Sequence, residues 1–399
     1  MAGMGLALGG GGSKGAFQIG VWQALRDLDV QIDAVAGTSI GSINGAFMAD
    51  NDLDGALELW QNLQIQQCVD LADTDLRSSD LLSLSNASIL AREIFTHHSL
   101  DTQPLRQTLL RYLDEDRIRQ SKMHYGLMTA TLPEMSGRPF WIEDIPAGQL
   151  IEFIMASTRL PGLDPVTING ERYIDGGMAE IVPISMLKKR GCHAIIAVDL
   201  SLHPVLRSPI VDNINLIYIH DRHDLGGTLD VTQAVIQRNQ RLGYLDTMKA
   251  FGRLSGESFA FMPDQYRRLV KMIGAEHLAG LEQAGMIYEL DRKIVYDAAS
   301  FVELIKTRRK AVQLQYSQQR QALKIDNKLK AILAGRLKVL DLIPAMRLSF
   351  LVELQTRIRH QDSFLKIPLR LFPNLNQAAD ALLVLDGEAA AGEIDPSGP

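Results

Sequence analysis

Two short apolar runs near the start of the chain each end in a glycine-rich turn and lead into a helix. This repeated junction constrains the fold more than any other feature of the sequence. Residues 6–8 run into Gly9, Gly10, Gly11 and Gly12, after which Phe17, Val21, Leu25 and Leu28 fall at helical spacing. Residues 32–36 then predict a second strand, followed by a sharp turn over 37–41 and a small-residue helix through Ala49. Strands alternating with helices imply a parallel sheet covered on its faces. Residues 125–131 and 139–142 predict two more strands about a turn at Ser136-Gly137, and 194–200 and 216–219 predict buried ones. Residues 166–174 predict a hairpin, because Asn169-Gly170 can supply the two positive φ angles of a type I′ turn. The expected fold is α/β, three layers about a mostly parallel central sheet, followed by a helical C-terminal region.

A chain of 399 residues has room for one large domain and a smaller unit. The strand signals end near Gly252, which sets a first domain at 1–252. Residues 253–387 form a helical region, with long amphipathic stretches over 301–333 and 337–359 and a break or kink expected at Pro344. Residues 388–399, rich in Ala, Gly, Pro and acidic side chains, are expected to fray. Hydrophobic residues at 46% and charged ones at 22% describe an ordinary folded protein, and a net charge of -6 argues against a nucleic-acid partner. Cys68 and Cys192 are too few for a disulfide framework and lack metal-ligand spacing, so no metal is expected. No run approaches the roughly 18 apolar residues of a membrane span, and no charged segment precedes the apolar N-terminus. A cytoplasmic protein is expected, with export lacking a cleavable signal left open; the oligomeric state is not legible.

Three elements carry chemistry. Gly37-Thr38-Ser39-Ile40-Gly41 is a G-x-S-x-G sequence between a predicted strand and a predicted helix. A nucleophile elbow needs small flanking residues because its serine sits in a tight strained turn, and Gly37 and Gly41 meet that need. The helix start also favours developing negative charge on Ser39. A serine serving only as an N-cap is the competing reading. The glycine loop Gly9–Gly15 admits two uses. Backbone N–H groups of Gly10, Gly11 and Gly12 can converge on one oxygen as an oxyanion hole. Alternatively, Gly10, Gly12 and Gly15 satisfy a dinucleotide fingerprint with Asp33 downstream as the ribose ligand, which makes an oxidoreductase. Asp175-Gly176-Gly177, at the end of the Asn-Gly hairpin, offers a fixed carboxylate as a base or is a simple turn.

Taken along the chain, the glycine-rich loop with its basic residue, then G-x-S-x-G, then Asp-Gly-Gly after the Asn-Gly hairpin resemble the patatin-like phospholipase family across most of residues 5–252. Ala156-Ser157 with Pro161 and Pro165-Val166, and Gly243-Tyr244-Leu245-Asp246, resemble further family segments. The resemblance implies a patatin-like three-layer fold and a lipid acyl hydrolase of phospholipase A type without cofactor. In it Ser39 is the nucleophile, Asp175 the general base and Gly10–Gly12 the oxyanion hole, supported by Gly37, Gly41, Lys14, Gly15, Gly176 and Gly177. Lys14 stands where the family often has arginine and Arg159 where a small residue is usual, and the fourth glycine leaves open which N–H groups face inward. Residues 51–123, polar and helical, are a candidate lid over the acyl pocket. His203, His220 and His223 are expected to be surface or structural residues, not members of a Ser-His-Asp triad. A non-catalytic lipid-binding or interaction protein of the same fold is the alternative.

The resemblance does not extend to residues 303–333, which carry Lys306, Arg308, Arg309, Lys310, Arg320, Lys324, Lys328 and Lys330 against Glu303 and Asp326. A basic amphipathic helix of this kind either lies on an anionic membrane surface or packs its apolar face inward with its charges solvated.

Overall fold

The computed structural model describes residues 3–68, 102–160, 163–203, 214–322, 343–359 and 373–387. The chain forms two compact units, residues 1–251 and 252–399.

In the first unit the opening pattern folds into β1 (Met4–Leu8), α1 (Ala16–Asp27), β2 (Ala34–Thr38) and α2 (Ile40–Asp50). The helices α3 (Leu53–Asn62), α4 (Gln103–Tyr112) and α5 (Glu115–Gln120) follow, α4 with its proline in the first turn. Then come β3 (His124–Leu132), β4 (Gly137–Trp141), α6 (Leu150–Ser157), β5 (Val166–Ile168), β6 (Glu171–Asp175), α7 (Ile184–Lys189), β7 (Ala194–Asp199), β8 (Asn215–His220) and α8 (Gln233–Ala250). The eight strands form one sheet in the order β5-β6-β3-β2-β1-β7-β8, with β4 also on β3. The pairs β8-β7, β7-β1, β1-β2 and β2-β3 are parallel. Asn169 and Gly170 adopt φ of 52° and 85°, the turn that joins β5 to β6.

Strand alternation sorts the core into two layers. Leu6, Leu8, Val35, Ile196 and Val198 face one side of the sheet, where Ile19, Phe47, Ile154 and Ile236 of the helices cover them. Ala7, Ala34, Ala36, Ile195 and Ala197 face the other, under Ile184, Met186 and Leu187 of α7. Strand β3 then aligns the site. Its residues 126–128 pair with both β2 and β4, and Thr129 and Ala130 pair with both β4 and β6. A strand has two edges, so β4 takes one and β2 and β6 meet end to end on the other. β2 finishes at Thr38 opposite Met128, and β6 finishes at Asp175 opposite Thr129. The chain ends leading to Ser39 and Asp175 are thus one pairing step apart.

The second unit contains α9 (Pro263–Ile273), α10 (Leu278–Ile287), α11 (Ala298–Ala322), α12 (Pro344–Arg359) and α13 (Pro373–Leu385) around a core of Phe259, Phe261, Leu281, Phe301, Leu348 and Leu382. It also holds a two-stranded parallel sheet, β9 (Ala260–Phe261) with β10 (Val295–Tyr296), where only helices are expected. Strands of two residues are too short to show a period. Pro344 opens α12 and does not kink it, since a first-turn proline gives up only an N–H that no helical carbonyl would meet. The candidate lid residues 69–101, the basic residues 323–333 and the tail 388–399 lie outside the described residues. Among the described residues no helix is long and apolar enough to cross a membrane.

Candidate active site

The turn between β2 and α2 holds Ser39 at φ 55° and ψ −123°, a conformation costly for any residue with a Cβ and kept only where its surroundings impose it. They do so by crowding. A Cβ on Gly37 would lie 2.1 Å from the Gly41 carbonyl oxygen, and one on Gly41 would lie 2.2 Å from that of Leu8. The Ser39 N–H donates to Ser157 Oγ at 3.0 Å, and the Ser157 hydroxyl in turn donates to the Met128 carbonyl at 2.7 Å. Ser157 is wholly buried and anchors the elbow to β3. Its sequence neighbourhood marks it only as part of a resemblance, because a hydroxyl on an apolar helix does not say which turn it will meet.

Asp175 closes β6 with its side chain buried. Its Oδ1 accepts the Gly177 N–H at 2.7 Å, and the Ser39 hydroxyl lies near enough to the same carboxyl to favour its ionised form. Burial pushes the Asp175 pKa up to about 6, against the opposite pull of the hydrogen bonds from Ser39 and Gly177. A Cβ on Gly176 would strike the Met128 carbonyl oxygen at 2.2 Å, which keeps that position bare.

The glycine loop runs beside the elbow, close enough that a Cβ on Gly10 would lie 3.3 Å from Ser39 Cβ. The three expected donors, Gly10, Gly11 and Gly12, differ in their surroundings. The Gly10 N–H donates to the Ile181 carbonyl at 3.1 Å, just as Gly9 is bound to Val198 and Ser13 to Thr228. Among the described residues the Gly11 and Gly12 N–H groups meet no acceptor. Gly12 has φ of 59°, and its Cα faces Thr228 where a Cβ would come within 2.2 Å of the carbonyl oxygen. Lys14 follows with its Nζ 4.0 Å from Asp224 Oδ1, and Gly15 leads into α1.

A cavity of about 440 Å³ joins these groups: Ser39, Asp175 and Gly10–Lys14 line one part, and Ile40, Ile43, Trp60, Leu105, Leu200 and Leu229 wall much of the rest. Cys68 also reaches it, but burial pushes this thiol up to about 12, so it is not a thiolate at neutral pH. The dinucleotide reading fails on placement. Asp33 accepts the Met4 N–H at 2.7 Å, which pins it at the start of β1 and β2, whereas the glycine loop follows the far end of β1. The His220 Nε2 sits 2.7 Å from the Ser201 carbonyl oxygen, and its ring stacks on Tyr218.

A parallel α/β sheet with a strained serine at the end of its second strand, a glycine loop beside it and a buried aspartate on the adjoining hairpin defines the class. Residues 6–188 match the family described as Patatin-like phospholipase, the family that the sequence motifs resemble. Lysophospholipase NTE1 of Candida glabrata is 28% identical over 200 residues, which are 49% of this chain and 10% of that protein. Lysophospholipase NTE1 of Saccharomyces cerevisiae is 26% identical over 200 residues, 49% and 11% of the two chains. An NTE family protein of Mycobacterium bovis is 26% identical over 197 residues, 49% and 48% of the two. The chain thus spans about a tenth of the length of these fungal relatives and about half of the mycobacterial one. Among solved structures, VipD from Legionella pneumophila aligns with 97% of this chain and 84% of its own at 13% identity and a TM-score of 0.41, too low to bear on function.

Proposed function

We propose that the protein is a lipid acyl hydrolase of phospholipase A type that cleaves fatty-acyl esters through Ser39 and Asp175. One observation carries the reading: a buried carboxyl with few donors meets the hydroxyl of a strained elbow serine inside an apolar cavity. Ser39 Oγ attacks the ester carbonyl while Asp175 takes the hydroxyl proton. The Gly11 and Gly12 N–H groups bind the oxyanion, each contributing about 3 kcal/mol to the transition state. The tetrahedral intermediate collapses, Asp175 returns its proton to the departing alcohol, and the acyl chain stays on Ser39. A water molecule, deprotonated by Asp175, then releases the fatty acid. A carboxylate with a pKa of about 6 is still ionised at neutral pH and is a stronger base than an ordinary aspartate. The apolar walls suit an acyl chain, and the relatives named lysophospholipase favour phospholipid or lysophospholipid substrates.

The test compares wild type with Ser39→Ala and Asp175→Asn, using a fluorophosphonate probe and vesicles of mixed phospholipid and lysophospholipid. Wild type is expected to label and to release fatty acid, Ser39→Ala to do neither, and Asp175→Asn to lose turnover by about 10³-fold or more. A wild type that neither labels nor hydrolyses any of these lipids would replace the reading with a non-catalytic lipid-binding protein.

A further inference from the structure

Behind the glycine loop lies a chain of buried amides that the hydrolytic steps above do not use. Gln18 on α1, Asn44 on α2 and Trp60 on α3 are each at most 1% exposed. Gln18 Nε2 donates to the Gly9 carbonyl at 2.7 Å, and its Oε1 accepts from Asn44 Nδ2 at 2.8 Å. Asn44 Nδ2 also donates to the Gly15 carbonyl at 3.0 Å, and Asn44 Oδ1 accepts the Trp60 indole N–H at 3.1 Å. Asn44 thereby uses every polar group it has, and the network grips the glycine loop at both ends.

Apolar side chains would fill these positions without the desolvation cost that buried amides incur. The loop supplies a reason for the amides. Successive glycines have the greatest backbone freedom of any run, whereas oxyanion donors act only if they are aimed before charge develops. The Gly9 carbonyl and the Gly10 N–H belong to one peptide plane; Gln18 holds the first, and the Ile181 carbonyl, at 3.1 Å, holds the second. That plane cannot rotate, and the next N–H groups in line are those of Gly11 and Gly12. Gly15 is crowded at the other end, where a Cβ would come within 3.1 Å of Asn44 Nδ2 and of Trp60 Cζ2. Asn44 sits on the helix that Ser39 begins, so one side chain refers the donors and the nucleophile to the same frame.

We propose that Asn44, tied to Gln18 and Trp60, is a positioning residue that aims the Gly11 and Gly12 N–H groups relative to Ser39. The inference rests on Ser39 acting as the nucleophile. Two shape-conserving variants of the full chain test it, Asn44→Leu and Gln18→Met. Active sites are counted with the fluorophosphonate, kcat and KM are measured per titrated site on a lysophospholipid, and thermal unfolding is recorded alongside. The expected result is a fall in kcat per site of about 100-fold for Asn44→Leu and about tenfold for Gln18→Met, with KM within about twofold of wild type. If Asn44→Leu does not fold, Gln18→Met decides alone. An unchanged kcat per site in a folded variant overturns the proposal, as does a loss confined to unfolding temperature or to the number of titratable sites. A wild type that does not label sinks the hydrolase reading itself, a distinct failure that takes this proposal with it.

Discussion

Both units bury carboxylates, and Asp175 of the first and Glu282 of the second are supplied with very different numbers of donors. Glu282, 2% exposed, accepts the N–H groups of Glu257, Ser258 and Phe259, the shortest at 2.6 Å, and the Tyr266 hydroxyl at 3.3 Å. It staples the segment before β9 to α10. Asp175, 7% exposed, accepts one backbone N–H, from Gly177, and has the Ser39 hydroxyl beside it. Burial is common to both, so burial does not mark a reactive carboxylate. The supply of donors is what separates them: the ionised form at Asp175 is undersupplied, and its affinity for a proton rises.

The contrast breaks most readily at the staple. Glu282→Ala leaves three backbone N–H groups without their acceptor and should cost about 3 to 5 kcal/mol of stability, read by chemical denaturation. Fatty-acid release per labelled Ser39 should stay at the wild-type rate. A variant that keeps its stability and loses turnover per site would show that Glu282 is no mere staple.

Asp175→Asn sharpens the same contrast from the other side. The folded carboxyl titrates near 6 against an ordinary value of 3.8, so the folded state binds a proton more tightly than the unfolded one. Stability therefore falls as pH rises from about 4 to 6, and above pH 6 the protein bears the whole penalty, at most about 3 kcal/mol. Asparagine carries no charge. Asp175→Asn should raise the unfolding free energy at pH 7 by about 2 to 3 kcal/mol, and by nothing below pH 4. Wild-type kcat/KM should fall about tenfold per pH unit below about 6, as the base becomes protonated. A variant destabilised at pH 7, or a rate flat from pH 7 to 5, would mean that Asp175 is fully satisfied like Glu282.

How much of this was legible in the sequence follows the range of the interaction. The two strand–turn–helix junctions and the Asn169-Gly170 turn are local, written in glycine placement and apolar period, and they appear as expected. Pairings between distant segments are not written that way. The Gly10 N–H is occupied because Ile181 lies beside it, and nothing near residue 10 says so. Asp33 stands at a plausible distance along the chain for a ribose ligand, yet the strand between it and the elbow carries it to the opposite end of the sheet. Ser157 and Asn44 left one trace, a polar residue inside an apolar helix, which signals a buried partner without naming it.

Arg309 carries the contrast to a cation, with the smallest expected effect. In the sequence it counts toward the basic face of residues 303–333, and a membrane-bound helix would need it exposed. Arg309 is instead 8% exposed and binds both carboxylate oxygens of Asp386, at 3.0 and 2.8 Å. On the described part of that helix Arg308 and Lys310 stay exposed, beside the exposed Leu304. Arg309→Met should cost about 1 to 2 kcal/mol, less than a fully buried pair because the Asp386 side chain is 40% exposed. Its sedimentation with anionic phospholipid vesicles should match wild type, whereas reversing Arg308 and Lys310 to glutamate should weaken any sedimentation this face provides. If Arg309→Met keeps its stability and loses vesicle binding, the guanidinium serves the membrane, and its pairing with Asp386 is not what holds the unit together.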